Sequence, residues 1–394
     1  MTARQNPPAT TTFTPLCVPV IRGNEWLYLK ECLDTNWVSS VGPFVDRFEQ
    51  SLAGYIGSRH AIATVNGTAA LHTALLLAGV GRDDEVLVST LTFIAPANAI
   101  RYAGAWPVFI DAEPDYWQMD PLEVERFLEH ECTWDGAELW NKTSGRRVKA
   151  IIPVHILGHP VDCDPIIGLA RRYGLTVIED ATESLGARYK GRMVGGIGEI
   201  GCFSFNGNKI ITTGGGGMVV TNHDTWAARA RYLTTQAKDD AVEYLHEEIG
   251  YNYRLTNIQA AMGVAQMEQL PDYVAAKRRI ADAYRAALAA VTGISPMQEA
   301  PWAFSAHWMF TILVDRKAYG IGSRELLGKL GDHGVQTRPL WQPLHLSNAH
   351  GGNRGRSLPI AERLYESALS LPCSADLSDR DIDRITTLIA GFAN

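Results

Sequence analysis

VKAIIPVHILGHPVDCDPIIGLARRYGLTVIEDA, residues 148–181, decides the fold. Two short aliphatic runs, AIIPV and LTVIED, flank DPIIGLARRYG, in which the apolar residues recur at helical spacing. The runs are apolar throughout rather than alternating, as in strands buried on both faces of a parallel sheet. The same alternation continues upstream. AIATV (61–65) precedes GTAALHTALLLAG (67–79), EVLVS (85–89) precedes FIAPANAIRYAG (93–104), and WPVFIDA (106–112) follows. The expectation is an α/β fold with a mainly parallel sheet and helices on both faces, with function at the carboxyl ends of the strands.

Downstream the pattern changes. GYNYRLTNIQAAMGVAQMEQL (250–270) leads to Pro271, a charged helical run (273–291) and the strand-like HWMFTILVD (307–315). The expected division is a flexible Thr/Pro-rich tail over 1–15, a large α/β domain over 16–270 and a small C-terminal α+β domain over 271–394. HECTWDGAELWNKTSGRR (130–147) reads as an insertion, and the polar QAKDDAVEYLHEEIG (236–250) as a mobile surface segment.

Composition excludes several classes of function. With 394 residues, 46% hydrophobic, 20% charged and a net charge of −7, the chain can bury a large core and has no basic face for nucleic acid. Six cysteines are scattered without a C-x-x-C pair, so neither a disulfide framework nor a zinc cluster is expected. MTARQNPPATTTFTPL (1–16) has no apolar h-region, so no leader is expected, and nowhere do about eighteen apolar residues run together. The expectation is a cytoplasmic protein with no membrane partner and no metal.

Three motifs fail on context. GIGEIG (196–201) matches a dinucleotide fingerprint but lacks the preceding strand and following helix, which leaves a Gly-rich turn. LTVIED resembles an ATPase magnesium site without the phosphate loop that must accompany it. His155 and His159 have the spacing of helical metal ligands, yet Gly158 and Pro160 argue for a loop or strand end.

GCFSFNGNKIITTGGGG (201–217) sets Lys209 between a hydroxyl-bearing strand and four glycines. A Schiff-base enzyme, with the Lys209 amine holding pyridoxal 5′-phosphate, uses most of these features together. Asp180 would keep the pyridine nitrogen protonated, although a strand-end acid also serves as a helix cap. The small residues Gly67, Thr68 and Ala69 open a helix suited to a phosphate, and Ser204 adds a hydroxyl. Gly214–Gly217 let the backbone turn sharply after the lysine, or form a plain surface turn.

With these residues in place, the chain resembles the DegT/StrS family of sugar-nucleotide aminotransferases, enzymes of fold type I. The resemblance covers nearly the whole chain, through VNGTAALHTAL, PVHILGHPVDCDPI, VIEDATESLGARYKGRMVGGIGEIGCFSFNGNK, GYNYRLTNIQAAMG and VQTRPLWQPLH. It implies Lys209 as catalytic and cofactor-anchoring lysine, Asp180 on the ring nitrogen, Ser204, Thr68 and Ala69 on the phosphate, Phe93 stacked on the ring and Glu183 near its phenolic oxygen. Asn252 would reach the phosphate of the second subunit's cofactor, which implies a homodimer with shared active sites. Ser40, His155, Arg338 and His345 are the implied substrate-binding residues. The implied substrate is a UDP-linked 2-acetamido-4-keto-2,6-dideoxyhexose, with glutamate as amino donor. GDP-linked 4-keto-6-deoxymannose, the perosamine synthase substrate, is the alternative, and a non-catalytic nucleotide-sugar-binding regulator a third reading.

Overall fold

Seven apolar runs form the spine of a nine-stranded sheet: β1 (His60–Thr64), β2 (Glu85–Ser89), β3 (Trp106–Ile110), β4 (Arg147–Ile152), β5 (Thr176–Asp180), β6 (Ile200–Ser204) and β7 (Gly217–Thr221). Their order is β1-β7-β6-β5-β4-β2-β3. β7 pairs antiparallel with both β1 and β6, and the remaining neighbours along this order are parallel. The structure, a computed structural model, describes residues 13–240, 242–353 and 357–393. The helices Gly67–Leu77, Ala95–Tyr102 and Cys163–Arg172 follow β1, β2 and β4 as the alternation requires. β2 and β7 are buried at every position, which is why their sequences do not alternate.

The segment expected as an insertion is a hairpin, Cys132–Trp134 with Leu139–Asn141, added antiparallel to β4 through Leu139 opposite Val148. Beyond the sheet, Ile294–Pro296, Phe310–Val314 and Ala368–Leu371 make a three-stranded antiparallel sheet. The helices Ser323–Asp332, Pro359–Ser367 and Asp379–Gly391 accompany it. This is the α+β portion anticipated near the C-terminus.

Two expected limits shift. Pro271 lies inside one continuous helix, Asn257–Leu288, so the chain does not break at 270/271. A proline removes one N–H from a helix. Here packing against Glu25–Asp34 and Pro43–Ile56 and against Asp379–Gly391 holds the helix through that loss. At the other end, residues 1–12 of the expected tail lie outside the described residues, but Thr14 is already fixed. Its N–H donates to the Gly334 carbonyl at 2.8 Å, and its carbonyl accepts from the Gln336 N–H at 3.0 Å. Of the segment 236–250, residue 241 lies outside the described residues; the remainder has no helix or strand and is mostly exposed.

The GIGEIG run is a turn, and its amides serve a carboxylate. Glu179 is buried on β5, and its Oε2 accepts from Gly195 N–H at 2.7 Å while Oε1 accepts from Ile197 and Gly198 N–H, each at 2.6 Å. His155 Nε2 lies 3.0 Å from Oε2. Val161 N–H donates to His155 Nδ1 at 2.9 Å, which places the imidazole proton on Nε2, facing the carboxylate. Burial alone would raise the Glu179 pKa; the hydrogen bonds from His155 and the turn outweigh it and lower it. A lowered folded pKa contributes stability above the ordinary value of 4.5, lost as pH falls through the folded value. Glu179→Gln should therefore destabilise the fold by about 3 kcal/mol at pH 7, and by less toward pH 3. Urea denaturation at both pH values measures the difference, and an equal effect at the two would remove the charge from the account.

Candidate active site

Parallel β5 and β6 end side by side, with Cys202 in register with Asp180, and their carboxyl ends carry Asp180 and Ser204 into one cavity of about 390 Å³. The turn after β1 brings the N-terminus of helix Gly67–Leu77 to the same place. Asn66 caps that helix, its Oδ1 accepting from the Ala69 N–H at 2.8 Å. The amides of Gly67 and Thr68, both lining the cavity, have no acceptor among the described residues. Such a terminus favours an anion through its free N–H groups and the helix dipole.

Two glycines make the approach possible. A Cβ on Gly67 would stand 2.8 Å from Ser204 Cβ, and one on Gly217 would stand 2.4 Å from the Asn66 carbonyl oxygen. Gly67 thus lets the helix start sit against β6, and Gly217 lets β7 pass against the cap. The lysine lies between the strands so joined.

Lys209, on the loop from β6 to β7, points its Nζ to within 3.5 Å of Glu183 Oε1. The Trp308 ring covers the amine, with Nζ 4.1 Å from its centroid, an arrangement that attracts an ammonium. Glu183 is held by the Leu157 N–H, which donates to its Oε2 at 3.0 Å. Leu157 adopts a left-handed φ of 60° to do so, a conformation unusual for a branched side chain. Asp180 accepts from the Thr182 N–H at 3.1 Å. Burial raises the pKa of both carboxyls, opposed for Glu183 first by the charge of Lys209 and for Asp180 first by hydrogen bonds from Thr182. Phe93 is 57% exposed and forms part of the cavity wall.

Lys209, Asp180, Glu183, Ser204, Phe93, Gly67 and Thr68 therefore line one cavity. Ala69 does not join them, since Asn66 takes its amide. Asn252 is exposed and pairs with Thr235, away from this chain's own cavity. None of the four expected substrate residues lines the cavity. His155 is buried against Glu179. His345 is buried with Nδ1 2.8 Å from Thr90 Oγ1 and Nε2 3.1 Å from Glu362 Oε1, so both ring nitrogens are committed, the first of them joining the α+β portion to the large sheet. Arg338 is exposed and bridges to Ser370, and Ser40 sits in the turn before helix Pro43–Ile56. Sequence reasoning missed Trp308 and Trp341, which close the cavity from the C-terminal portion. Their only signal was aromatic residues inside the motifs HWMF and PLWQPLH.

His155, Cys163 and Glu179 place possible ligand atoms within 4.8 Å of one another. Each already has a hydrogen-bond partner within the fold, the Cys163 thiol donating to Val161 O at 3.3 Å.

Comparison with known proteins agrees with this geometry. Residues 19–390 match the model of the DegT/DnrJ/EryC1/StrS aminotransferase family. A GDP-perosamine synthase of Caulobacter vibrioides is 40% identical over 373 residues, 94% of this chain and 95% of the relative. A GDP-perosamine synthase of Escherichia coli O157:H7 is 40% identical over 380 residues, 96% of this chain and 98% of the relative. The crystal structure of a DegT DnrJ EryC1 StrS aminotransferase from Brucella abortus superposes with a TM-score of 0.85 at 31% identity, covering 94% of this chain and 95% of that one.

The raised carboxyls generate a stability prediction. A carboxyl whose folded pKa is raised costs stability while ionised, and the cost disappears as pH falls through the folded pKa toward the ordinary value. Asp180→Asn keeps the acceptor for Thr182 and removes the charge. It should stabilise the cofactor-free protein at pH 8 and leave it nearly unchanged at pH 4.5, as read from urea midpoints. Destabilisation at pH 8 would contradict the burial account of Asp180.

Proposed function

The chain belongs to the DegT/DnrJ/EryC1/StrS aminotransferase family, and on that premise we propose that it transfers an amino group from glutamate to the 4-keto carbon of GDP-linked 4-keto-6-deoxymannose. It is an aminotransferase, and the cofactor of the family is pyridoxal 5′-phosphate. The observation that carries the reading is the position of the Lys209 amine, in one cavity with Asp180 and an uncommitted helix N-terminus. This arrangement also disfavours a non-catalytic regulator.

The residues present fit the cofactor, since the Gly67 cradle is one that a single added Cβ would fill. When bound, pyridoxal phosphate supplies an electrophilic carbonyl and a conjugated ring that accepts electrons from a substrate carbon. The amides of Gly67 and Thr68, with Ser204 Oγ, would hold the phosphate. Asp180 would keep a proton on the ring nitrogen by charge, and Phe93 would face the ring. Lys209 Nζ would serve as covalent anchor and, once free, as the base and acid that moves the substrate proton. Glu183 Oε1 and the Trp308 ring orient that amine, and the indole, 4% exposed, keeps water from it.

The GDP-linked reading takes precedence over the UDP-linked one because the two curated relatives reported above both carry the name GDP-perosamine synthase at 40% identity. Turnover with glutamate and each of the two keto sugars decides between them. The expectation is a kcat/KM higher by at least about tenfold, roughly 1.4 kcal/mol, for the GDP sugar; the reverse preference would restore the UDP reading.

We further propose a homodimer with shared sites, a reading that two features support. Lys209 is the only Lys or Arg lining the cavity among the described residues, although both cofactor and substrate are anionic. Asn252 is exposed beside a segment that presents Val242, Tyr244 and Ile249 to solvent, at 82%, 70% and 83% exposure, an apolar surface of the kind interfaces cover. Lys209→Ala should lower turnover by about a thousandfold or more. Mixing it with inactive Asn252→Asp chains under conditions that exchange subunits should restore activity, about half of wild type per heterodimer. Heterodimers without recovered activity would count against shared sites.

A further inference from the structure

Lys277, on the helix Asn257–Leu288, is 3% exposed and faces two sulfurs rather than a carboxylate. Its Nζ lies 3.4 Å from Cys17 Sγ and 3.8 Å from Cys373 Sγ. It also donates to the Trp308 carbonyl at 3.0 Å and to the Cys373 carbonyl. Backbone contacts fix the two cysteines alongside each other: Cys373 N–H donates to Leu16 O at 2.8 Å, and Val18 N–H to Ser374 Oγ at 3.0 Å. Cys17 is half-buried and Cys373 fully buried.

The six cysteines differ sharply in chemistry. Burial pushes the thiols of Cys32, Cys132, Cys163 and Cys202 up, Cys132 to about 12. The neighbouring Cys373 thiol and the charge of Lys277 bring Cys17 down to about 6 against its burial, while Cys373, whose thiol donates to the Trp308 carbonyl at 3.3 Å, is raised. Thiolates, not thiols, attack peroxides. Cys17 thus has the exposure and the ionisation of an attacking sulfur, and Cys373 the position of a resolving one.

We infer that Cys17 and Cys373 are a peroxide-responsive pair that closes to a disulfide, with Lys277 as the cation facing both sulfurs. The Cys17 thiolate attacks one oxygen of a hydroperoxide, the O–O bond breaks, and the departing oxygen takes a proton to leave as water or alcohol. Cys17 is then a sulfenic acid. Cys373, giving up its thiol proton, attacks the Cys17 sulfur; the S–S bond forms and the sulfenic oxygen leaves as water. With hydrogen peroxide, two thiols and one oxidant become one disulfide and two waters, the two electrons passing from sulfur to the O–O bond.

The pair borders the catalytic lysine. Cys17 Sγ lies 3.5 Å from the Asn208 carbonyl oxygen, which accepts from Trp308 Nε1 at 2.7 Å, and Asn208 immediately precedes Lys209. Disulfide closure consumes the Cys17 sulfur beside that carbonyl and leaves Trp308 Nε1 as its hydrogen-bond donor. The inference does not depend on which sugar the protein takes.

The test treats reduced, cofactor-loaded protein with a twofold excess of hydrogen peroxide at pH 7, followed by thiol counting, intact mass and peptide mapping. The expected result is loss of two of the six thiols, a mass decrease of about 2 Da and a Cys17–Cys373 linked peptide, all reversed by dithiothreitol. Cys373→Ser should retain its fold and give no linked peptide. The pH–rate profile for iodoacetamide alkylation of Cys17 should have its midpoint near 6, moving up in Lys277→Met. Six thiols left intact, a Cys17 sulfinate beside a free Cys373, a mass gain of about 14 Da from an oxygen-bridged Lys277–Cys17 link, or an unshifted midpoint in folded Lys277→Met would each overturn the inference.

Discussion

The buried Glu179 carboxylate is the constraint around which the site is assembled. It takes hydrogen bonds from the turn that precedes β6 and from the ring of His155 on the loop after β4. Three neighbouring segments of the parallel sheet are thereby locked at their ends by one group. An isolated buried charge is costly, and partial pairing would leave most of that cost in place. The dense set of donors around Glu179 is what makes it tolerable. Because side chains alternate along a strand, fixing Glu179 on one side of β5 directs the adjacent Asp180 to the other, into the cavity.

The rest of the site is built on that lock. His155 anchors the loop on which Leu157 turns its amide toward Glu183, and Ser184 Oγ–H closes the loop from below by donating to the His155 carbonyl. β6 emerges from the clamped turn to present Ser204, and its antiparallel partner β7 approaches the Asn66 cap only because residue 217 has no Cβ. Lys209 is suspended between β6 and β7, faced by Glu183 on one side and Trp308 on another. Two raised carboxyls beside one amine form a site short of positive charge, suited to holding cationic centres and, at the helix terminus, an anion.

Much of this was legible from residues 148–221 and the turn after β1, because parallel strands bring the ends of successive apolar runs together. Asp180, Ser204, Lys209 and the Gly67 turn each sit at such an end. His155 and His345 were misplaced because nothing in VHILGHP or PLWQPLH discloses a partner, and their partners, Glu179, Thr90 and Glu362, are distant in sequence. Trp308 and Trp341 reach the cavity from loops of the C-terminal portion, about a hundred or more residues beyond Lys209, and no local periodicity encodes that meeting. Pro271 suggested a break, yet tertiary packing carried the helix through it. The nucleotide is a finer matter again: the sequence motifs that mark the family lie around the cofactor cavity and carry no reading of the base, and the two relatives at 40% identity are named GDP-perosamine synthases.

The account rests on Lys209 as the residue that binds the cofactor covalently. Borohydride reduction of the pyridoxal-phosphate-loaded protein, followed by peptide mapping, tests this most directly. The predicted result is a single phosphopyridoxyl adduct on the peptide containing Lys209. An adduct on another lysine, or none in protein that demonstrably holds the cofactor, would contradict it.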